Sequence, residues 1–393
     1  MRLFPVDIQW HHDVVSTLTG EPVMPMHPAA WDWRTVLNGA GDGSHTYRLG
    51  DPAYDLGPAG WDDALAKVRR TSVISYSING GRKIAKYAGI HVGEDWDRAS
   101  KTSVVQHREF RYLGDLRFFT MVASYMLEGH FDVSGYSKAG LLTKIWERGY
   151  RRPEYEGIPN RWNLPIRLPP ALLGTDSARY AKWKFTSIEE ATAAIQDTID
   201  GPDIYVEPMW DEATGWFYWQ AKFGNPTFPS LPFDVHLGAD EHPLVNLKFR
   251  ENGAKVGTGI FGIGNGSDES MRIGFGSYKP EWSIEDGMPN IDATEEFKNE
   301  RDLVRLNQLA EATLAARRRP IRQYENSILA PVEVSASGGS PVYGVDIKPG
   351  WTVEIDDPGD ERNAPSRADQ YIIGVGHNSS SQHVMSIDYQ QQD

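Results

Sequence analysis

The chain has 393 residues, no cysteine and a formal net charge of −14 at pH 7. Without cysteine there can be no disulfide, thiolate metal site or cysteine nucleophile. The acidic balance disfavours sequence-specific binding to nucleic-acid phosphates. No apolar run approaches the roughly 18 residues of a membrane span, and the start, MRLFPVDIQWHHD, lacks the features of a secretory signal. The 44 aromatic residues (13 Trp, 17 Tyr and 14 Phe) favour large cores or subunit interfaces over sugar-stacking platforms.

The first 130 residues are rich in strand and turn signals. SVISYSI leads into Asn79-Gly80-Gly81, and KIAKYAGIHV follows, which predicts a hairpin with a tight turn. WDWRTVLNGAGDGSHTYRLGD predicts two strands around a Gly/Asp-rich turn, and SVVQHREFRYL predicts another strand.

Helices interrupt the strands in the middle of the chain. Ser137 is predicted to cap SKAGLLTKIWERG, with Gly149 as its stop. Thr186 and Glu189 have the spacing of a capping box at the start of a second helix. DIYVEPM and WFYWQAKF flank DEATG and predict a hairpin.

Strands return from residue 235, with one long helix predicted over 294–318. Asp292 and Glu295 are its predicted caps, and Pro320 its stop. Its apolar face would comprise Leu303, Leu306, Ala310 and Leu314. Near the end, YIIGVGH, a polar turn and HVMSIDYQ faintly repeat the earlier YAGIHV, polar turn and SVVQHREF. This repeat indicates two related β-units.

The predicted fold class is therefore mainly β with an α+β insert. The first β-domain takes residues 1–130 and the α+β middle domain residues 131–234. The second β-domain takes residues 235–290 and 326–393, and a helical insert takes residues 291–325.

Residues 257–266, GTGIFGIGNG, contain the G-x-G-x-x-G pattern of a dinucleotide-binding loop at Gly257, Gly259 and Gly262. That loop must join a strand to a helix whose N-terminus faces the pyrophosphate. Here a polar turn and another strand follow, so the glycines are predicted to lie inside a bent or crowded strand. No cofactor is expected.

No other stretch predicts a catalytic or metal site. His11, His12 and Asp13 resemble metal ligands, but neighbouring residues on a strand point to opposite faces. Neighbouring carboxylates cannot set the carboxyl separation that a glycosidase needs; the acidic pairs are Asp62-Asp63, Glu189-Glu190 and Asp356-Asp357. The run Arg317-Arg318-Arg319 suits the end of a helix. The sequence therefore predicts no catalytic, cofactor-binding or metal-binding residue.

The order of segments resembles the tail hub proteins of long-tailed siphophages, also called minor tail, tail-associated or baseplate hub proteins. WRTVLNGAGDGSHTYRLGD and KYAGIHV resemble parts of the first hub barrel, and FDVSGYSKAGLLTKIWERGYRRP its exit into a helix. FTSIEEATAAIQDTIDGPDIYVEPMWDEATGWFYW resembles the middle domain. IKPGWTVEIDDPGDERNAPSRADQYIIGVGHNSSSQHVMSIDYQ resembles the closing strands. Many hubs carry a further C-terminal extension, whereas this chain stops at QQQD, so neither receptor binding nor wall digestion is expected of it.

The resemblance implies a structural protein of the virion tail tip, made in the host cytoplasm, without enzymatic activity. Each chain would supply two tail-tube-like β-barrels, so that a homotrimer matches a sixfold tail tube. Expected partners are the distal tail protein, the tape-measure protein and other tip proteins. DNA would pass through the ring without specific binding, past an acidic wall.

Two alternatives come from other classes. The chain could bind or cleave carbohydrate at a cell surface, with Trp210, Trp216 and Trp219 around one hairpin as the stacking platform. A weaker alternative is a redox enzyme built on GTGIFGIGNG.

Overall fold

The fold is known from a computed structural model. It describes residues 6–51, 56–118, 129–151, 163–198, 200–229, 233–239, 242–254, 256–266, 270–276, 287, 289–297, 300–317, 321–337, 340–361, 365–381 and 383–391. Antiparallel strands dominate, so the prediction of a mainly β protein is confirmed.

The first β-segment contains seven strands and a short helix. They are β1 (Ile8–Ser16), β2 (Pro22–Met26), β3 (Ala30–Val36), β4 (Asp42–Arg48), α1 (Pro58–Ala64), β5 (Arg70–Ile78), β6 (Ile84–Asp97) and β7 (Thr102–Arg108). The predicted hairpin of β5 and β6 forms. Asn79 (φ 50°) and Gly80 (φ 69°) both take the left-handed conformation of the predicted tight turn, which Gly81 N closes by donating to the Ile78 carbonyl at 2.9 Å. β3 and β4 also pair as predicted.

The middle segment combines helices with short strands. They are α2 (Tyr112–Asp115), β8 (His130–Tyr136), α3 (Lys138–Tyr150), β9 (Ile166–Arg167), β10 (Leu173–Ala181), α4 (Ile188–Gln196), β11 (Ile204–Trp210) and β12 (Phe217–Phe223). β11 and β12 form the predicted hairpin. α3, α4 and this hairpin share one apolar core, in which the buried Trp146 indole donates to Thr192 Oγ1 at 2.9 Å.

The helix ends test the predicted caps. The Ser137 hydroxyl accepts from Gly140 N, which confirms that cap. Gly149 is not the stop, because α3 continues to Tyr150; instead, a Cβ on Gly149 would lie 2.6 Å from Ile188 Cγ1 of α4. Its missing side chain allows the two helices to approach. The second helix starts later than predicted, because Ser187, and not Thr186, accepts from the backbone of Glu190.

The remaining strands and the last helix follow in the second half of the chain. They are β13 (Phe233–His236), β14 (Leu244–Asn252), β15 (Gly259–Ile263), β16 (Ile273–Gly276), β17 (Asp292–Glu296), α5 (Leu303–Ala316), β18 (Ile321–Leu329), β19 (Glu333–Ser337), β20 (Ser340–Tyr343), β21 (Thr352–Asp357), β22 (Ser366–Asn378) and β23 (Val384–Gln391). The faint sequence repeat corresponds to two antiparallel hairpins, β6–β7 and β22–β23.

The start of the long helix was predicted wrongly. Residues 292–296 form β17, parallel to β15, because their alternating side chains fit the edge of that sheet. Asp302 caps α5, and its carboxylate accepts from Arg305 N at 3.0 Å. Leu306, Ala310 and Leu314 are buried as predicted, whereas Leu303 is exposed. The predicted stop, Pro320, lies outside the described residues.

Thirteen of the described strands form one sheet. Its order is β14-β18-β23-β22-β3-β4-β7-β6-β5-β1-β2, and β21 joins β22 to β13. The pairing of β22 with β3 makes the last β-segment continuous with the first. Among the described strands, the pairing does not close into a barrel.

The contacts divide the chain into two compact units. The larger comprises Met1–Gln196, Pro202–Leu247 and Glu325–Asp393, and the smaller comprises Asp197–Gly201 and Lys248–Tyr324. The smaller unit holds the sheet β16-β15-β17 together with α5. The four-part domain division drawn from the sequence stays a prediction.

Candidate functional site

Two of the three dinucleotide-like glycines lie in a strand, as the sequence predicted. Gly259 and Gly262 belong to β15, and Gly257 lies just before it. Among the described elements, the next after β15 is another strand, β16. The helix that covers this sheet, α5, comes about 40 residues later in the chain. Its close approach accounts for Gly262 and Gly274, where a Cβ would lie 3.3 Å from Leu306 Cδ1 and 2.6 Å from Leu306 Cγ respectively. The glycines make room for a packed helix and form no phosphate loop.

The two neighbouring histidines of β1 turn to different partners. His11 Nε2 lies 2.9 Å from Ser77 Oγ, whereas His12 Nδ1 lies 3.0 Å from His45 Nε2. The third member of the triplet, Asp13, pairs with Lys83 at 3.2 Å. Across the described residues, no group of three His, Asp or Glu side chains has a metal-binding arrangement.

His12 begins a chain of hydrogen bonds through the sheet interior. His45 Nδ1 lies 2.7 Å from His107 Nε2, and the Tyr87 hydroxyl lies 3.2 Å from His107 Nδ1. A neutral imidazole has one N–H donor and one acceptor nitrogen, so this histidine relay (His12, His45, His107 and Tyr87) must have a single direction of donation. A doubly protonated ring within it would donate on both sides, so the direction of donation would have to reverse at that ring.

The relay also reveals the curvature of the sheet. β1 and β4 are four strands apart in the order β4-β7-β6-β5-β1, which would separate them by about 19 Å in a flat sheet. The 3.0 Å contact between His12 and His45 therefore requires the sheet to curl around its interior. Trp10 of β1 and Trp31 of β3 approach to 5.4 Å between ring centroids across the same interior. The first β-segment is thus a strongly curled sheet filled with polar and aromatic side chains.

Burial keeps the interior histidines neutral. It lowers the pKa of His12 to about 3 and those of His91 and His377 to about 4. The pKa values of His45 and His107 also fall well below the ordinary value, because both rings are buried next to other imidazoles.

The acidic pairs have structural partners. Asp63 accepts from the Arg70 guanidinium at 2.7 and 2.8 Å, which lowers the pKa of its carboxyl. Glu189 pairs with the buried Arg111, and Asp356 lies 3.0 Å from His236 Nδ1. Arg317 pairs with Glu295 at 2.5 Å, and Arg318 and Arg319 lie outside the described residues.

The three tryptophans of the β11–β12 hairpin do not form a common platform. Trp219 is 1% exposed in the core, and the Trp210 indole donates to Ser75 Oγ at 2.9 Å. Trp216 alone of the three is well exposed, at 43%. A sugar-stacking surface at this hairpin would need a second exposed ring next to it.

A buried ionic cluster joins three distant segments of the larger unit. Lys86 of β6 donates to the Ile347 carbonyl, and the Tyr76 hydroxyl of β5 donates to the Asp346 carboxylate. Glu207 of β11 pairs with Lys348, and with Lys222 of β12 at 2.5 Å. The cluster therefore joins the first strands, the middle hairpin and the closing segment. Its charges are paired only while these three segments keep their relative positions.

The cluster shifts the titration of its members. Burial, with Lys348 nearby, lowers the pKa of Lys86 to about 7. Burial alone would raise the pKa of Glu207, but Lys348 and Lys222 outweigh it and hold the pKa of that carboxyl below its ordinary value. Lys86 is only 4% exposed, so this amine is placed to hold segments together and not to meet a substrate.

A smaller polar junction around Asp203 joins the same three segments. Asp203 accepts from Asn38 Nδ2 at 2.7 Å and from the Tyr371 hydroxyl at 2.5 Å. The Asn38 side-chain carbonyl accepts in turn from Ile204 N at 2.7 Å. A turn of the first β-segment, the start of β11 and β22 are thus tied together.

Sequence reasoning missed both junctions and the relay. Lys86 alone gave a signal, since a lysine inside IAKYAGI interrupts an apolar strand. His12, His45 and His107 are far apart in the sequence, and only the curl of the sheet brings them together.

The terminal strands of the large sheet are the places where another chain could add a strand. β2 (PVMPM) contains Pro22 and Pro25, which cannot donate backbone hydrogen bonds and so block edge pairing. β14, at the other end, contains no proline.

Comparison with known proteins identifies the fold. Neither protein-family models nor curated proteins match this sequence. The structure is similar to that of the prophage MuSo2 43 kDa tail protein from Shewanella oneidensis, with a TM-score of 0.54 and 10% identity over 97% of this chain and 98% of that one. It is also similar to a tail protein from Neisseria meningitidis MC58, with a TM-score of 0.52 and 10% identity over 98% and 96% of the two chains. The chain has the fold of tail proteins.

The comparison covers nearly the whole of each chain, so the likeness concerns the complete arrangement of segments and not one common motif. Within the described residues, no helix is long and apolar enough to cross a membrane.

Proposed function

We propose that the chain is a structural component of a phage tail tip: a homotrimeric hub ring that closes the distal end of the tail tube. The observation that carries the proposal is the likeness to two tail proteins over at least 96% of every chain compared.

The curled first β-segment supports the barrel part of the proposal. The contact between His12 and His45 brings together strands that lie four places apart in the sheet, as the wall of a barrel does. The closing hairpin β22–β23 continues that sheet through β3 and would belong to the second barrel. Two barrels per chain would let three chains match the sixfold symmetry of a tail tube.

The two buried junctions suit a structural protein that transmits mechanical force. The ionic cluster around Glu207 and the Asp203 junction fix the middle hairpin to both β-segments. Removing one partner from such a cluster is costly, so the segments keep one relative arrangement.

The remaining parts of the proposal concern the partners. The ring would contact the distal tail protein, the tape-measure protein and other tip proteins of a siphophage, and it would act without enzymatic activity or cofactor. With 54 acidic and 40 basic residues, an acidic bore would repel DNA and let it pass freely. A markedly basic bore in a ring structure would contradict this part.

Two measurements on purified virions test the proposal. Immunogold electron microscopy with an antibody against this chain should label the tail tip, and mass spectrometry should find the chain among virion proteins. Label along the whole tail would contradict the hub assignment and indicate a tube protein instead. Absence of the chain by both methods would reject a structural role in the tail.

A further inference from the structure

Four large apolar side chains are exposed at the surface of the larger unit on two adjoining segments. They come from two segments, residues 116–118 after α2 and residues 183–185 before α4. A backbone bridge between Phe118 and Ser187 joins these segments. The aromatic patch comprises Leu116 (52% exposed), Phe118 (40%), Trp183 (51%) and Phe185 (51%).

The patch has an ordered geometry. The rings of Phe118 and Phe185 are perpendicular, with centroids 6.4 Å apart, and Trp183 meets His130 edge to face at 4.9 Å. Phe185 has φ 50° and ψ 37°, the left-handed conformation that favours glycine or asparagine. A bulky aromatic residue is therefore held in an unfavourable backbone conformation while half of its surface faces water. Such an outlier points to a role outside the fold itself.

Cations border the patch. Two lysines flank its aromatic residues in Lys182-Trp183-Lys184-Phe185. Arg117, between Leu116 and Phe118, donates to the Gly149 carbonyl of α3 at 2.8 Å. The chain as a whole has a net charge of −14, so this cationic aromatic surface is opposite in sign to most of the molecule.

A ring built from one kind of chain needs two different, complementary surfaces on each copy. An apolar surface edged with lysines complements the acidic surface that dominates the same chain. We propose that the aromatic patch docks onto an acidic surface of a second copy of this chain, as one side of the ring contact. This inference rests on the proposed hub ring and adds the surface that closes it.

Sedimentation velocity of the full chain tests the docking directly, with the double variant Trp183→Ala/Phe185→Gly. Aromatic anchors at the centre of an interface carry much of its binding energy, so self-association should weaken at least about tenfold. Glycine relieves the left-handed backbone at position 185, so the melting temperature of the monomer should stay level or rise. A loss of assembly would then not reflect a loss of fold.

Trp96→Ala is the matched control, because Trp96 is 48% exposed on β6 and lies outside the patch. It should assemble like the wild type. The single variant Lys184→Glu should weaken assembly too, and added salt should weaken the wild type, because salt screens exposed charges.

Three outcomes would overturn the inference. The double variant could assemble as tightly as the wild type, or the wild type could stay monomeric up to about 100 μM, where even micromolar association would be evident. Third, the patch could be needed for co-sedimentation with anionic phospholipid vesicles but not for self-association, which would assign it to a membrane surface. In each case, immunogold labelling of virions would still test separately whether the chain is a structural component of the tail.

Discussion

The hairpins β6–β7 and β22–β23 share a backbone plan but differ in what they enclose. Each begins with a long strand that carries a register shift, at His91/Gly93 in β6 and at Ile372/Gly374 in β22. Each long strand also carries a buried histidine, His91 in the middle of β6 and His377 near the end of β22.

The interiors differ in polarity. The β6–β7 hairpin contributes Tyr87 and His107 to the histidine relay, so its interior is held by hydrogen bonds. The β22–β23 hairpin buries Val375, Met385 and Ile387, each at most 1% exposed, so its interior is held by apolar packing. The same strand plan can thus be stabilised in two ways. The β6–β7 hairpin buries two histidines, His91 and His107, and the β22–β23 hairpin buries one, His377, so the stability of the first should depend more on proton concentration.

Acidification should have the largest effect. The interior histidines bind protons in the unfolded chain below about pH 6.5 but resist them in the folded state, so the stability that they contribute is present above that pH and declines as the pH falls toward 4. Each neutral buried histidine contributes about 2 kcal/mol of this loss at pH 5. The histidines concerned are His12, His45, His91, His107 and His377.

Glu109 opposes this trend in part. Burial raises the pKa of its carboxyl to about 7, so its contribution to stability grows as the pH falls from 7 toward the unfolded value near 4.5. Urea unfolding at pH 7.5, 6 and 5 should still give a net loss of several kcal/mol. A free energy of unfolding that is flat between pH 7.5 and 5 would contradict the neutral relay.

Ile387→Ala should have the largest effect in the apolar hairpin. Ile387 is 1% exposed, and deleting its buried methyl and methylene groups should reduce the free energy of unfolding by about 2–5 kcal/mol. The loss should be the same at pH 7.5 and 6, because no titrating group is removed. Val23→Ala on the exposed face of β2 should change stability by less than about 0.5 kcal/mol.

His107→Leu should break the relay at its centre. It leaves His45 Nδ1 and the Tyr87 hydroxyl buried without their partner, and each such group costs about 1–3 kcal/mol. Unlike Ile387→Ala, it should also make the pH dependence between 7.5 and 5 shallower. An unchanged slope would show that His107 binds its proton equally well in the folded and unfolded chain, which would contradict the neutral relay. His383→Leu, at an exposed position, should leave stability and slope unchanged.

Tyr371→Phe should have the smallest effect. It removes the hydrogen bond to Asp203 at 2.5 Å but keeps the ring, so the expected loss is about 1–2 kcal/mol. Hydrogen exchange at Ile204, which the same junction holds, should become faster. No change in exchange would mean that the middle hairpin is held without this junction.

Local signals were the predictable part of the fold. The Asn79-Gly80 turn and the Ser137 cap act within a few residues, so the sequence alone indicates them. The sequence predicts a helix over 294–318 and misses the strand at 292–296, because strand addition beside β15 depends on a distant partner. It also predicts Gly149 as a helix stop, because the true role of this glycine depends on Ile188 of another helix.

The chemistry of the interior depended wholly on long-range pairing. Glu207, Lys86 and Lys348 meet only after the three segments have folded together, and no spacing in the sequence marks them as partners. The strand within GTGIFGIGNG was the exception, because its context was evident in the sequence.

A cryo-electron microscopy reconstruction of the tail tip tests the central claim most directly. The account predicts three copies of this chain at the distal end of the tube, with the curled sheets of each copy forming the ring wall. A tip ring built from a different chain, with no density for this one, would contradict it.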